Sequence, residues 1–228
     1  MKKTDILIAN RKCHIYEGEK VEFLLVQPID EHDLEVLDKE FEAIASLTRK
    51  AFTLVALEVN NWQEDLTPWS APAVFGKTPF GDGAAQTLRF ITTELISSLK
   101  EMSLFDGISM KCLLGGYSLA GLFSLWAGYN TAMFYGIAAV SPSVWYQGWI
   151  DYASANQPQA SSFYLSLGDK EEKTKNAVMS QVGNCIRTQH DMFEKQGIRT
   201  ILEWNNGNHF QDSHGRTAKA FAWLMTND

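Results

Sequence analysis

The chain has 228 residues, of which 45% are apolar, 12% aromatic and 21% charged. This length and composition fit a single soluble domain spanning residues 1–228, because no Pro/Gly/Ser-rich linker or block of charge divides the chain. The formal net charge of -7, without any cluster of Lys and Arg, argues against nucleic-acid and anionic-membrane partners.

The N-terminus and the cysteines bear on the compartment. Lys2 and Lys3 are followed by no long apolar stretch, so we expect neither a signal peptide nor a membrane anchor. Cys13, Cys112 and Cys185 lie far apart and lack the C-x-x-C spacing of metal and redox sites. These observations predict a cytoplasmic protein with no disulfide framework and no zinc cluster.

The first half of the chain alternates strand and helix patterns. We predict strands at 6–9, 13–16, 21–26 and 52–59, with the third ending before Pro28, and a helix at 31–50. A long connection follows at 60–83. Connections of that length are usually functional or ordered by their own packing.

The second half repeats the alternation. We predict helices at 84–102, after residue 118, near 173–196 and at 216–225, and strands at 110–114, 136–140, 162–167 and 200–204. Strands that alternate with helices form a mostly parallel sheet covered on both faces, which is the α/β class. In such sheets the reactive groups gather at the carboxyl ends of the strands.

The segment Gly116–Gly121 joins a strand pattern to a helix pattern. Ser118 lies at its centre, and the residues two before and two after it, Gly116 and Ala120, are small. A sharp strand-to-helix turn requires small residues there, and it exposes its serine as a nucleophile. The alternative is an ordinary turn in which Ser118 only caps the helix.

A serine nucleophile needs a base and a carboxylate that orients the base. Acidic residues follow the predicted strand at 162–167, and histidines follow the strand at 200–204. The residues alone leave the acid open between Asp169, Glu171 and Glu172, and the base open between His209 and His214. The order of serine, acid and histidine along the chain is the α/β-hydrolase order.

Three segments carry a family resemblance: Gly-Gly-Tyr-Ser-Leu-Ala-Gly at 115–121, Ser-Pro-Ser-Val-Trp at 141–145 and Gly-Asn-His-Phe at 207–210. The chain resembles the α/β-hydrolase superfamily and its putative esterase group, which includes esterase D, feruloyl esterases and enterobactin-type siderophore esterases. The resemblance implies an α/β-hydrolase fold with helices on both faces of the sheet and ester hydrolysis through an acyl-enzyme. It also implies His209 as the base and favours Glu171 as the acid. The chain of 228 residues is short, which leaves little room for a separate lid domain.

The chain departs from that group at three points. Ala120 replaces the usual glycine, Tyr117 stands where histidine is frequent, and no His-Gly-Gly-Gly motif follows Val26. The first oxyanion donor is expected to be the amide of Leu119, directly after the nucleophile. We expect the second from Ile29 or a neighbour, since Pro28 has no amide hydrogen.

Aromatic residues near the expected site suggest how a substrate is bound. We expect Tyr117, Trp62 and Trp145 to contact it, with plain packing of the loops as the alternative. The sequence thus predicts a serine esterase that acts on a small-molecule ester, with no cofactor and no metal. An acyltransferase at the same site, a non-catalytic binding protein of this fold and a homo-oligomer stay open, and so does the natural ester.

Overall fold

The computed structural model describes residues 2–226 and is built on one sheet of eight strands. The strands are β1 Lys2–Ile8, β2 Arg11–Glu17, β3 Phe23–Ile29, β4 Phe52–Glu58, β5 Lys111–Tyr117, β6 Gly136–Val140, β7 Ser162–Gly168 and β8 Arg199–Asn205. Their order across the sheet is β1-β2-β4-β3-β5-β6-β7-β8. The predicted mostly parallel α/β architecture is confirmed.

Strand direction and crossovers define where a site can form. β2 runs antiparallel to both β1 and β4, whereas every pair from β4 to β8 is parallel. The chain first moves from β3 outwards to β4, and then crosses back to β5 and on towards β8. The direction therefore reverses between β3 and β5, and a crevice opens there at the carboxyl ends of the strands.

Helices cover both faces of the sheet. They are α1 Glu31–Leu47, α2 Trp62–Asp65, α3 Ala84–Phe90, α4 Ile96–Glu101, α5 Leu119–Asn130, α6 Trp149–Ala155, α7 Val182–Lys195 and α8 Ser213–Met225. A π-helical turn, Ile91–Leu95, joins α3 to α4, so the predicted helix at 84–102 is continuous. None of the helices in residues 2–226 combines the length and the apolar character needed to cross a membrane.

The sheet separates two apolar cores. On one face, α1 and α8 pack together over a cluster that includes Leu37, Leu25 and Phe221. The other helices pack on the opposite face, where α5 is buried almost all round. Helices on both faces explain why the central strands are continuously apolar instead of alternating.

Pro28 lies inside β3, whereas the strand predicted at 21–26 ends before it. The pairing of β3 with β5 stops at Val26, while its pairing with β4 continues to Ile29. Beyond Val26 the strand therefore has a neighbour on one side only. A residue without an amide hydrogen is tolerated in that situation.

The helix predicted near 173–196 begins later, at Val182. A short 3₁₀ turn, Glu171–Lys173, ends at Thr174, whose backbone is extended. The side chain of Asn176 then accepts the amides of Val178 and Met179 at 3.0 and 3.1 Å. This local hydrogen bonding competes with helix formation and delays α7.

The long connection 60–83 is ordered by its own packing. Ala71 and Phe80 form a β-bridge, and Trp69 donates its indole N–H to the carbonyl of Gln147 at 2.8 Å. Asn176 donates its amide to the carbonyl of Val74 at 2.7 Å. The connection is thereby held over the carboxyl end of the sheet.

Candidate active site

Ser118 lies on the tight turn between β5 and α5. Its backbone has φ 57° and ψ -118°, a combination that costs on the order of 1–3 kcal/mol for a residue other than glycine. Its side chain makes no helix-capping hydrogen bond. A Cβ atom on Gly116 would lie only 2.5 Å from the Cβ of Ala120, so the turn requires glycine at 116.

Three predicted side chains meet above the carboxyl ends of the strands. Ser118 Oγ lies 3.1 Å from His209 Nε2, and His209 Nδ1 lies 2.7 Å from Glu171 Oε2. Glu171 follows β7 and His209 follows β8. This is the geometry in which an imidazole takes the serine proton while a carboxylate holds its other nitrogen.

The other candidates for acid and base have different partners. Asp169 accepts the amide of Gly207 at 2.7 Å. Glu172 accepts two hydrogen bonds from Arg187, at 2.8 and 3.0 Å. His214 is in the first turn of α8, 3.7 Å from Asp212. The structure therefore brings Glu171, and neither Asp169 nor Glu172, to His209.

Glu171 is buried but well supplied with donors. Burial raises the pKa of its carboxyl, and hydrogen bonds from His209, Ser141 and the amide of Gly168 outweigh that effect and hold the pKa below its usual value. Ser141 Oγ and the Gly168 amide each donate to Glu171 Oε1 at 2.7 Å. The carboxyl is therefore ionised at neutral pH.

A cavity of about 580 Å³ opens beside Ser118. Trp62 and Trp145, which we expected to contact a substrate, both line it. Its remaining lining residues are Phe75, Ser141, Ser143, Lys170, Glu171, Lys173, Thr174, Met179, Val182, Asn208, His209 and Phe210. A cavity of this size accommodates a small organic molecule.

Comparisons with known proteins find solved structures but no family model and no curated protein that match the chain. An IroE-like serine hydrolase from Shewanella oneidensis superposes with a TM-score of 0.77 at 15% identity, over 97% of this chain and 79% of that one. The siderophore hydrolase EstA from Aspergillus nidulans gives 0.74 at 16% identity, over 98% of this chain and 93% of that one.

A third solved structure superposes on this chain about as well as these two. The enterobactin esterase FES from Shigella flexneri gives a TM-score of 0.73 at 16% identity, over 98% of this chain and 59% of that one. This chain has the α/β-hydrolase fold. Its eight-stranded sheet, with the turn at Ser118 after β5, is the part of the fold that carries the candidate site.

Within this fold, Arg216 is a residue of the candidate site that was not among the residues predicted from the sequence. It lies in α8 with 1% of its surface exposed, and its Nη1 donates to Glu171 Oε1 at 3.1 Å. Its Nη2 donates to the carbonyls of Asn206 and Asn208, at 2.9 and 3.1 Å. The sequence feature that could have indicated Arg216 is a charged residue within a largely apolar helix. An arginine buried there requires an acidic or carbonyl partner.

Tyr117, which we expected to contact a substrate, contacts the loop of His209 instead. Its hydroxyl donates to the carbonyl of His209 at 2.8 Å and accepts from Arg216 at 3.1 Å, and it does not line the cavity. Burial raises the pKa of this phenol to about 12. Tyr117 and Arg216 therefore fix the loop that carries His209.

The two residues expected to donate backbone amides to the oxyanion, Leu119 and Ile29, lie at the start of a helix and at the end of a strand. Leu119 is the first residue of α5, so its amide has no acceptor within the helix. Ile29 is the last residue of β3 and is fully buried, and its carbonyl accepts the amide of Val59 at 3.0 Å. Ser143, also close to the nucleophile, has its Oγ 3.4 Å from Ser118 Oγ.

The Glu171 carboxylate is committed to His209 and Arg216. Within residues 2–226, three side chains that could share an ion are found only on α7, at His190, Asp191 and Glu194. They are half-buried or exposed and do not line the cavity.

Proposed function

We propose that the protein is a serine carboxylic-ester hydrolase that forms an acyl-enzyme on Ser118. The observation that supports this proposal is the continuous hydrogen-bonded chain from Ser118 Oγ through the two nitrogens of His209 to Glu171. The names of the structural neighbours, a serine hydrolase and siderophore esterases, agree with ester hydrolysis. We extend to this chain only the general reaction, not their substrates.

In the proposed reaction, His209 Nε2 removes the proton of Ser118 while Oγ attacks the ester carbonyl. Glu171 accepts the Nδ1 hydrogen of His209 and stabilises the imidazolium that forms. The oxyanion is bound by the amide of Leu119 and by a second amide at Ile29 or a neighbour. Each such donor contributes about 3 kcal/mol to the transition state.

The alcohol leaves with the proton held by His209, and the acyl group stays on Ser118. Water then enters the cavity, loses a proton to His209 and attacks the acyl carbonyl, which releases the acid and restores the serine. None of these steps requires a cofactor. The positive φ of Ser118 holds its side chain outwards at the turn in both half-reactions.

Paired substitutions test the assignment of each role, with p-nitrophenyl acetate as the substrate. We expect Ser118→Ala and His209→Ala to lower kcat by about 10⁴-fold or more. His214→Ala, the matched control for the base, should retain most of the activity. Loss of activity in His214→Ala with retention in His209→Ala would contradict the proposed base.

The acid is tested by Glu171→Gln against Asp169→Asn. We expect a large loss in kcat only for the first, because Asp169 accepts a backbone amide and does not contact His209. Near-wild-type activity in Glu171→Gln would remove the carboxylate from the mechanism. Circular dichroism of each variant would separate loss of chemistry from loss of the fold.

A further inference from the structure

Two lysines lie on one wall of the cavity. Lys170 and Lys173 lie on either side of Glu171 and Glu172 in the segment after β7, and both residues line the cavity. The amide of Lys170 donates to the carbonyl of Gly207 at 3.1 Å, which ties its backbone to the loop that carries His209. Among residues 2–226, neither ammonium group has an ion pair or a side-chain hydrogen bond.

Two of the three nearby acids are paired with arginines, and among residues 2–226 no ion pair joins the third, Asp169, to either lysine. Glu172 binds Arg187, and Asp169 accepts a backbone amide. Glu171 contacts His209 and the buried Arg216, which compensates its charge. The lysines therefore give this wall a positive charge in a protein whose formal net charge is -7.

Four aromatic side chains contribute to the rest of the cavity lining. Trp62, Phe75 and Trp145 line it, and the rings of Phe75 and Trp145 are in edge contact at 6.3 Å between centroids. Phe210 follows His209 at the mouth, with 91% of its surface exposed. An exposed aromatic side chain of this size beside a cavity favours contact with an apolar or aromatic ligand.

We propose that the cavity selects esters that combine an aromatic ring with an anionic group such as a carboxylate. The ring would contact the aromatic side chains, and the anion would bind Lys170 and Lys173. This inference rests on the proposed esterase function and adds the class of substrate to it. Since the lysines are exposed, their attraction for the anion is modest and falls with salt.

Two matched pairs of esters test the proposal on either side of the ester bond. On the alcohol side, para-acetoxybenzoate is compared with its neutral methyl ester. On the acyl side, the p-nitrophenyl monoester of succinic acid is compared with p-nitrophenyl butyrate. The quantity measured is the ratio of kcat/KM for the anionic and the neutral member, because comparing this ratio between variants cancels intrinsic reactivity.

We expect the double variant Lys170→Gln/Lys173→Gln to lower this ratio by about fivefold in at least one pair, with a smaller loss at high salt. Lys175→Gln is the matched control, because Lys175 is an exposed lysine of the same segment that does not line the cavity. It should leave the ratio unchanged. An unchanged ratio in the double variant for both pairs would overturn the proposal.

A binding measurement separates this inference from the proposed function. Calorimetry with Ser118→Ala and para-acetoxybenzoate should show binding that weakens about fivefold when both lysines are replaced. If the wild type hydrolyses neutral esters but neither the ratio nor this binding depends on the lysines, the inference fails and the esterase proposal stands. If binding depends on the lysines but no ester is hydrolysed, the esterase proposal fails and the anion site stands.

Discussion

The contact between Gly116 and Ala120 makes the turn around Ser118 sensitive to a single methyl group. In Gly116→Ala, the new Cβ would lie 2.5 Å from the Cβ of Ala120 and 2.8 Å from its carbonyl carbon. Carbon atoms that are not bonded to each other pack best at about 3.5–4.0 Å. The strand and the helix on either side of Ser118 must therefore move apart by about 1 Å.

The size of the effect follows from that displacement. Overpacking of this kind costs about 1–3 kcal/mol, and the gain in stability from replacing a glycine in an unstrained site, about 0.4–1 kcal/mol, offsets only part of it. We expect the free energy of unfolding to fall by about 1–2 kcal/mol. A 1 Å misplacement of the nucleophile can lower activity by about 10²-fold, which exceeds the effect on the folded population.

The assay combines urea unfolding with p-nitrophenyl acetate hydrolysis in Gly116→Ala, in Ala120→Gly and in the double variant. The double variant should recover part of the lost activity, since the contact with the Ala120 methyl is gone. Recovery should be incomplete because the backbone carbon and oxygen of Ala120 stay at 2.8 and 3.0 Å. Wild-type stability and activity in Gly116→Ala would refute this account of the turn.

Three further predictions concern buried charge and the cavity. Arg216→Lys should lower kcat and move the acid limb of the pH profile of kcat to higher pH, because Glu171 loses a hydrogen-bond donor that favours its ionised form. An acid limb at the same pH as in the wild type would mean that Arg216 has only a structural role. Glu40→Gln should stabilise the protein at pH 8 and have little effect near pH 4. Burial, and to a lesser extent the charge of Asp33, raises the pKa of Glu40 in the folded state. The wild type therefore loses stability as the pH rises above the pKa of Glu40 in the unfolded chain. Thermal unfolding of the variant and the wild type at both pH values checks this, and an equal difference at the two would contradict it. Trp62→Ala should raise KM for aryl esters more than it lowers kcat, as measured by steady-state kinetics, since Trp62 lines the cavity but is not part of the hydrogen-bonded chain from Ser118 through His209 to Glu171.

The alternation of strands and helices and the location of the candidate site were predictable from the sequence because both depend on local patterns. Apolar runs marked the buried strands, and the rule that reactive groups follow parallel strands led to the loops after β7 and β8. The elbow was recognisable because its steric requirements restrict residues 116 and 120 to small side chains.

What the sequence left open depends on contacts between distant segments. Asp169 and Glu171 are two residues apart on one turn, and only their partners distinguish them. Asp169 accepts the amide of Gly207, whereas Glu171 contacts His209. Arg216 comes from α8, 45 residues after Glu171 in the chain. The late start of α7 likewise depends on the turn at Asn176, a competitor that helical periodicity does not reveal.

The most direct test of the account is covalent labelling of the folded protein with a fluorophosphonate, followed by peptide mapping. This reagent reacts with a serine whose hydroxyl is activated by a neighbouring base. We predict one adduct on Ser118 in the wild type, and a strongly reduced rate of labelling in His209→Ala. A folded wild-type sample that carries no adduct on Ser118 would contradict the proposed nucleophile and the esterase function built on it.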